Sequence, residues 1–338
     1  MREETTDTTS IRSVAVIGSG LAGLTAAILL GESGHRVQVF EKSRGPGGRL
    51  SSKRVADGSV DIGAQYFTSR NPGFTRFLDT WAGRGTYKLW DAKLGYQPES
   101  GGWLSFPEEH RFVGAPRMTA ITRALSNHVT LEAGVRIEKL SRASGQWQLT
   151  DTEGKEYQGF DQVVLTAPPA QAQELLANSG LGSLAERLAG HVASILPCWA
   201  LAARFRQPVD FAFDGVRPNS RVLFWVANNS SKPDREDDGQ WWVLHATPGW
   251  THEHIDDAPD AVARALLAEF RQLTGHEESA DEWVPHRWLY ARSDSDDAPG
   301  YLLDKDAGIG LAGDWLAGGR VEGAWESASG LVQEMGRS

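Results

Sequence analysis

Two hydrophobic periodicities alternate along this chain. Residues 13–17 form an almost unbroken apolar run, the pattern of a strand buried on both faces. Residues 21–32 are rich in Ala and Leu and stop short of Gly34, which predicts a helix. Residues 36–40 predict a second strand, and a strand–helix–strand opening implies parallel pairing with a right-handed crossover. The pattern then predicts strands at 59–63, 129–140, 146–150 and 162–166. A Ser-Gly turn joins the middle pair, and Pro168 and Pro169 stop the last. Helices are predicted at 72–82 and 116–126, the second with Pro116 in its first turn. From 197 to 292 the character changes. Aromatic, β-like segments at 199–205, 222–227, 241–247 and 283–291 are separated by loops rich in Asp, Ser, Gly and Pro, with one helix at 258–273. A strand at 309–312 and a helix at 322–335 close the series.

These elements predict an α/β Rossmann-type domain, discontinuous in sequence, carrying an inserted α+β domain around a mostly antiparallel sheet. The expected boundaries are 11–75, 110–170 and 300–338 for the first, and 76–109 and 171–299 for the second. Residues 1–10, polar and Thr-rich, are expected to be a disordered leader. A chain of 338 residues suits two domains better than one core.

Composition narrows the function classes. The formal net charge of -10 argues against nucleic-acid or anionic-membrane partners, which need a basic footprint. The single cysteine, Cys198, excludes an intramolecular disulfide and any cysteine-based metal cluster, and fits a reducing cytoplasm. Its place in the apolar run 196–201 suits buried packing, with a nucleophilic role as the alternative. Residues 14–30 are apolar enough for a signal peptide, but three glycines interrupt them and a charged, β-like segment follows. No stretch approaches the ~18 apolar residues of a membrane span. A soluble, cytoplasmic protein with no metal site is expected, its number of subunits left open. The 13 tryptophans suit a site that sandwiches a planar ring.

The candidate chemistry begins at Gly18-Ser19-Gly20-Leu21-Ala22-Gly23, between a predicted strand and helix. The first glycine permits the tight turn, the second lets the backbone approach a pyrophosphate, and the third lets helix pack on strand. The helix N-terminus then faces phosphate charge. Glu41 stands at the end of the second strand, where a carboxylate can hold ribose hydroxyls. Gly45-Pro46-Gly47-Gly48-Arg49 follows directly, and Arg49 can pair with phosphate oxygens.

Together with Gly313-Asp314 and Glu322-Gly323-Ala324, these motifs resemble the FAD-dependent, amine-oxidase-like flavoprotein superfamily. The resemblance implies a p-hydroxybenzoate hydroxylase-like architecture and non-covalent FAD. It places Asp314 on the ribityl chain, the Gly323 and Ala324 backbone at the flavin pyrimidine edge, and the Val135 backbone at the adenine. A helix N-terminus at that edge would favour negative charge on the flavin. The segments Lys42 to Arg54, Asp61 to Phe67, Gly114 to Met118, Ser231-Lys232-Pro233, Trp242 to Thr247, His286 to Arg292, Gly313 to Trp315 and Gly319 to Trp325 are similar to bacterial renalases. Lys42, Gly48, Arg49, Leu50, Gln65, Tyr66 and Glu322 join the cofactor candidates on that likeness. The likeness implies oxidation of 2-dihydro-NAD(P), and in some members 6-dihydro-NAD(P), to NAD(P)+, with O2 reduced to hydrogen peroxide.

Dihydronicotinamides are already hydride donors, so stacking and orientation do most of the work and no general base is required. Gln65, Tyr66, His245, Trp288, Arg320 and Trp325 are the candidate substrate residues. Tyr66 and Trp288 are equally suited to a core, and His245 to a structural hydrogen bond. Amine oxidases with an aromatic cage place a Tyr at the position of Arg320, and a cation there suits an anionic or carboxamide-bearing substrate. Its alternative is solvent or a pair with Glu322. Arg292 suits a substrate phosphate, or a pair with Asp294 or Asp296. The rival functions are oxidation of a small amine, and a flavin-carrying electron-transfer or regulatory module without a small substrate.

Overall fold

The computed structural model describes residues 11–56, 58–235 and 240–337, so the leader expected at 1–10 lies outside the described residues. The chain divides into two compact units. One extends to Pro46 and includes Leu125–Ala193 and the chain from Asp296 on, and the other comprises Gly47–Ala124 and Ser194–Ser295. This division groups residues 47–75 and 110–124 with the aromatic sheet and 171–193 with the Rossmann-type sheet, where the sequence pattern groups them the other way.

The first unit is built on a six-stranded sheet. Strands Thr130–Ala133, Arg36–Glu41, Ser13–Ile17, Gln162–Leu165 and Ile309–Leu311 run parallel, and Leu302–Asp304 adds an antiparallel edge. Val14, Ala15, Val16, Val163 and Val164 expose no surface, which is why the inner strands carry continuous apolar runs. Helix Leu21–Glu32 is buried almost all round, and helix Val321–Met335 packs on it.

The single strand expected at 129–140 is two strands. Gly134 takes a left-handed turn at φ 79° between them. Thr130–Ala133 stays in the parallel sheet, while Ile137–Ala143 opens an antiparallel sheet with Gln146–Asp151 and Glu156–Phe160. The helix expected at 116–126 begins at Thr119, because the Met118 N–H is taken by the Asp61 carboxylate at 2.9 Å and the turn holding Pro116 precedes it. The helix expected at 72–82 is α-helical over Pro72–Phe77 and widens to a π turn over Leu78–Ala82.

The second unit carries a seven-stranded, mostly antiparallel sheet. Its order is Glu282–Ser293, Ile195–Phe205, Gln240–Ala246, Leu223–Asn228, Gly215–Arg217, Leu94–Tyr96 and Leu104–Ser105, with only Gly215–Arg217 and Leu94–Tyr96 pairing parallel. Alternation splits its residues between two faces. Trp199, Leu201, Ala203, Trp242 and Leu244 pack on helix Pro259–Thr274 through Val262, Ala263, Leu266 and Phe270. Each Leu- or Phe-sized side chain buried there contributes about 1.5–3 kcal/mol. The opposite face, with Ala200, Ala202, Trp241 and Val243, packs on Val55, Val60 and Ile62 of and beside the hairpin Ser52–Val55/Gly58–Asp61. That second face positions the site. Among the described residues, no helix is long and apolar enough to cross a membrane.

Candidate active site

The glycine motif is built as its spacing requires. Gly18 follows the first strand at φ 109°, a conformation that L side chains rarely adopt. A Cβ on Gly23 would lie 1.9 Å from the Gly18 carbonyl oxygen, so helix and strand pack without room for any side chain. A Cβ on Gly20 would meet nothing within 4 Å. Open space therefore lies over the N-terminus of helix Leu21–Glu32, which has no side-chain cap and no acidic residue in its first turn. The unsatisfied amides at Leu21, Ala22 and Gly23 and the helix dipole suit a phosphate there.

Glu41 ends the second strand and is buried. One carboxylate oxygen accepts from the Ser19 amide at 2.9 Å and the Ser19 hydroxyl at 2.8 Å, and the other from the Ser43 amide at 2.8 Å. These donors fix its orientation beside the glycine turn. The Val135 amide donates to the Glu41 carbonyl at 2.9 Å, which fixes this turn beside the end of the second strand. Lys42 turns away to the Gln171 amide oxygen at 2.9 Å and is exposed.

At the other end of the same unit, Asp314 is buried in a turn of 3-10 helix, and its carbonyl accepts from the Ala317 and Gly319 amides, each at 2.8 Å. The Gly313 amide donates to the Ser327 hydroxyl at 2.9 Å. A Cβ on Gly323 would lie 2.2 Å from the Ala317 carbonyl oxygen. Glycine is thus required for the last helix to dock on the Asp314 turn. Glu322 is buried in the first turn of that helix and Ala324 follows. Arg320 is its exposed N-cap residue, and Trp325 is half-buried one residue past Ala324.

The second unit gathers four other candidates around one short segment, Asp61 to Gln65. Gly63 has no space for a Cβ, which would lie 2.2 Å from the Arg49 carbonyl oxygen, and the Ala64 amide donates to that same oxygen at 2.9 Å. Arg49 Nη1 donates to the Ala291 carbonyl at 3.3 Å, tying the short 3-10 turn Gly48–Leu50 to the edge strand. Leu50 is buried beneath it and Gly48 is left-handed at φ 52°. The Gln65 amide nitrogen donates to the Asp61 carbonyl and, at 3.1 Å, to the Gly63 carbonyl. The Ile62 carbonyl receives His245 Nε2 and Trp288 Nε1, both at 3.1 Å. Tyr66 turns its ring toward Trp225, with centroids 5.6 Å apart, and Trp90 at 6.4 Å.

A carbonyl only accepts, so His245 Nε2 carries the proton and Nδ1 is left as an acceptor. Burial pushes the His245 pKa down to about 4, against the Ile62 bond that raises it, so the ring is neutral near pH 7. His286, edge-on to Trp288 at 4.4 Å, is likewise drawn down to about 4 by burial and by Lys53. Neither imidazole is a proton acceptor poised near neutrality. Burial of the Cys198 sulfur holds the thiol up at about 12, which disfavours the thiolate at neutral pH, although the residue as a whole is half-buried.

Beneath this wall lies a fully buried charge cluster. Asp61 accepts from Lys232 Nζ at 3.2 Å, Arg235 Nη2 at 2.6 Å, the Ser52 hydroxyl at 2.7 Å and the Met118 amide at 2.9 Å. Burial pushes its pKa up, but Lys232, Arg235 and those donors outweigh it and bring the carboxyl down to about 2. Lys232 Nζ also reaches the Gln65 side-chain oxygen at 3.2 Å. That contact sets which end of the Gln65 amide donates.

Two family profiles match the chain. The NAD(P)-binding Rossmann-like domain matches residues 16–81, and the flavin containing amine oxidoreductase family matches residues 90–335. The chain belongs to the flavin containing amine oxidoreductase family. Solved structures agree on the fold. A redesigned putrescine oxidase superposes with a TM-score of 0.73 at 12% identity, covering 96% of this chain and 98% of that one. Cyclohexylamine oxidase from Brevibacterium oxydans gives 0.74 at 11% identity, covering 97% and 99%. In sequence, a zeta-carotene-forming phytoene desaturase of Myxococcus xanthus is 46% identical over 52 residues, 15% of this chain and about a tenth (10%) of that enzyme. As a family member the chain is a flavin-dependent oxidoreductase, and the open cradle over Gly20 fits a flavin dinucleotide.

The structure brings Gln65, His245 and Trp288 onto one segment and Tyr66 beside it, while Arg320 and Trp325 sit on the last helix of the other unit. Sequence reasoning named Lys232 only within a motif, and missed Asn229, Arg235 and Trp225 as supports of this wall. Asn229 Oδ1 accepts from the Asp61 amide at 3.1 Å. No local signal separates such residues from ordinary surface polar positions, because their partners lie up to 174 residues away.

Proposed function

We propose that this flavin-dependent oxidoreductase is renalase-like: it binds FAD non-covalently and oxidises 2-dihydro-NAD(P), with 6-dihydro-NAD(P) as the second isomer, to NAD(P)+. When bound, the flavin supplies a hydride acceptor at N5 and returns the electrons to O2 as hydrogen peroxide. The observation that carries the reading is the neutral wall. His245 and His286 are both held near about 4, and Nε2 of His245 is committed to the Ile62 carbonyl. Such a wall orients a donor that needs no deprotonation.

Each residue has a stated task in this reading. Tyr66, Trp225 and Trp288 offer apolar faces to the dihydropyridine ring and exclude water. His245 Nδ1 accepts a carboxamide N–H, a role open only to the tautomer that Ile62 fixes. Gln65 is held by Lys232 and the Asp61 and Gly63 carbonyls, and so keeps one orientation. Leu21, Ala22 and Gly23 amides would meet the pyrophosphate, Glu41 a ribose, Val135 the adenine, and Asp314, Gly323 and Ala324 the ribityl and pyrimidine portions. Lys42, Gly48, Arg49, Leu50, Tyr66 and Glu322 enter as cofactor residues on the motif alone. Arg320 and Trp325 enter as substrate residues on the same basis.

The family itself favours a second reading, oxidation of a small amine. Anaerobic mixing with 2-dihydro-NAD(P), 6-dihydro-NAD(P), ordinary NAD(P)H and benzylamine separates the two. The readout is flavin absorbance near about 450 nm. Rapid bleaching by a dihydro isomer alone is expected. Bleaching by the amine alone overturns the proposal, and bleaching by none favours a carrier without its own small substrate.

A further inference from the structure

Arg292 has no role in the wall described so far, and its surroundings are unusual for an arginine. It lies on the long edge strand Glu282–Ser293, on the same face as Trp288. Strand pairing shifts there, so that Trp288 faces Cys198 and Arg292 faces Leu196. Four residues of the edge strand thus span two of its neighbour, and Arg292 sits roughly 7 Å of strand beyond Trp288. Pro197, between those two partners, has no N–H to give the ladder. The shifted pairing aims the side chain inward over the sheet. Its guanidinium lies on the Phe224 ring, 4.7 Å from the centroid, and its charge reaches the Cys198 thiol.

The residue is half-buried, and its Nε is buried with no hydrogen-bond partner. It makes no ion pair with Asp294, although that carboxylate is only two residues on. Arg235 also keeps an unpartnered buried Nε, but its charge is matched by Asp61, 2.6 Å from Nη2, and Arg49 Nη1 donates to the Ala291 carbonyl at 3.3 Å. A guanidinium held over an aromatic ring, with no carboxylate on it, can offer its Nη groups to an oxyanion. Arg49 adds a second positive charge at the adjacent residue.

We propose that Arg292 is the anchor for a phosphate that the substrate carries beyond its oxidised ring. This deepens the dihydronicotinamide reading and rests on it. With the ring on Trp288 and the carboxamide at His245, a ribose fills the interval along the strand and its 5′-phosphate falls at Arg292. The site then discriminates by phosphate, and recognises neither a bare ring nor a simple amine through this residue.

The test uses the flavin-loaded full chain and three donors: a dihydronicotinamide riboside, the mononucleotide and the dinucleotide. In Arg292→Gln the concentration giving half-maximal flavin reduction should rise about ten- to a hundredfold for the two phosphorylated donors, as expected for losing a charge-assisted hydrogen bond. The riboside and the limiting reduction rate should be unchanged, and Arg292→Lys should restore part of the affinity. An equal loss for the riboside, or no loss for the mononucleotide, overturns the proposal. A turnover-free arm keeps it separate from the function reading: calorimetric binding of nicotinamide mononucleotide against nicotinamide riboside. If wild type prefers the mononucleotide and Arg292→Gln does not, the anchor stands even where no dihydro isomer bleaches the flavin. If wild type shows no phosphate preference, the anchor falls whatever the donor proves to be.

Discussion

Asp61→Asn is the sharpest perturbation of the wall, because among the described residues it removes the carboxylate that pairs with two buried cations. Neither Asp61 nor Lys232 exposes any side-chain surface, and Arg235 exposes 1%. Removing one partner of a buried ion pair costs ~3–5 kcal/mol, since an uncompensated charge stays behind. Two responses modify that figure. Burial already draws the Lys232 pKa below its ordinary value, and the Asp61 charge is what holds it up. Without Asp61 the lysine sheds its proton and relieves part of the penalty. Arg235 cannot do the same. The expected loss is therefore ~3 kcal/mol at pH 7 and smaller at pH 9, read as the shift in urea midpoint by tryptophan fluorescence. Acid gives an independent check. The folded carboxyl titrates near about 2 against an ordinary 3.8. A depressed carboxyl contributes stability that is present above the unfolded pKa and lost as pH falls through the folded one. Wild type should thus lose about 2–3 kcal/mol across that window, and Asp61→Asn should lack the loss. A penalty under about 1 kcal/mol at pH 7, or an acid loss that persists in the variant, refutes the reasoning.

Other expectations are as direct. Gly23→Ala should abolish flavin retention and destabilise the fold, because its Cβ meets the Gly18 oxygen at 1.9 Å, whereas Gly20→Ala should leave apoprotein melting nearly unchanged and still weaken flavin binding. The ratio of flavin to protein absorbance after gel filtration, with apoprotein melting, separates them. Cys198 should resist a disulfide reagent in the native state and react on unfolding, since burial holds its thiol up at about 12; fast native labelling contradicts that burial. His245 should keep neutral-ring imidazole shifts by NMR from about pH 6 to 8. Its folded pKa lies below the unfolded one, so its contribution to stability is present above the unfolded pKa and declines as pH falls toward about 4. A midpoint near 6.5 contradicts the burial of the ring.

The Rossmann-type half was legible because its signals are local. Gly18, Gly20 and Gly23 each answer a steric demand within a few residues of themselves, and apolar runs at 13–17 and 162–165 are what strands covered on both faces must show. The break at Gly134 was invisible for the complementary reason. Residues on either side satisfy a strand pattern, and only pairing with two different sheets decides that the chain turns there. Boundaries set by non-local partners do not show in a hydrophobic pattern.

The site was half legible, and the division has the same physical origin. His245 and Trp288 were even choices between substrate contact and structural bond. The Ile62 carbonyl resolves part of that choice by occupying one polar atom of each, from 183 and 226 residues away. What is left to a substrate is the part not spent on the fold: the Nδ1 edge of His245 and the ring face of Trp288. The same reasoning separates Arg235 from Arg292, two arginines that look alike in sequence. Both keep a buried Nε without a hydrogen-bond partner, but Arg235 has its charge matched by Asp61 and so acts by holding the wall, while Arg292 lies over an aromatic ring with no carboxylate partner among the described residues. A cation so placed is stabilised only when an anion arrives, which is why binding chemistry is assigned to the unpaired arginine and architecture to the paired one.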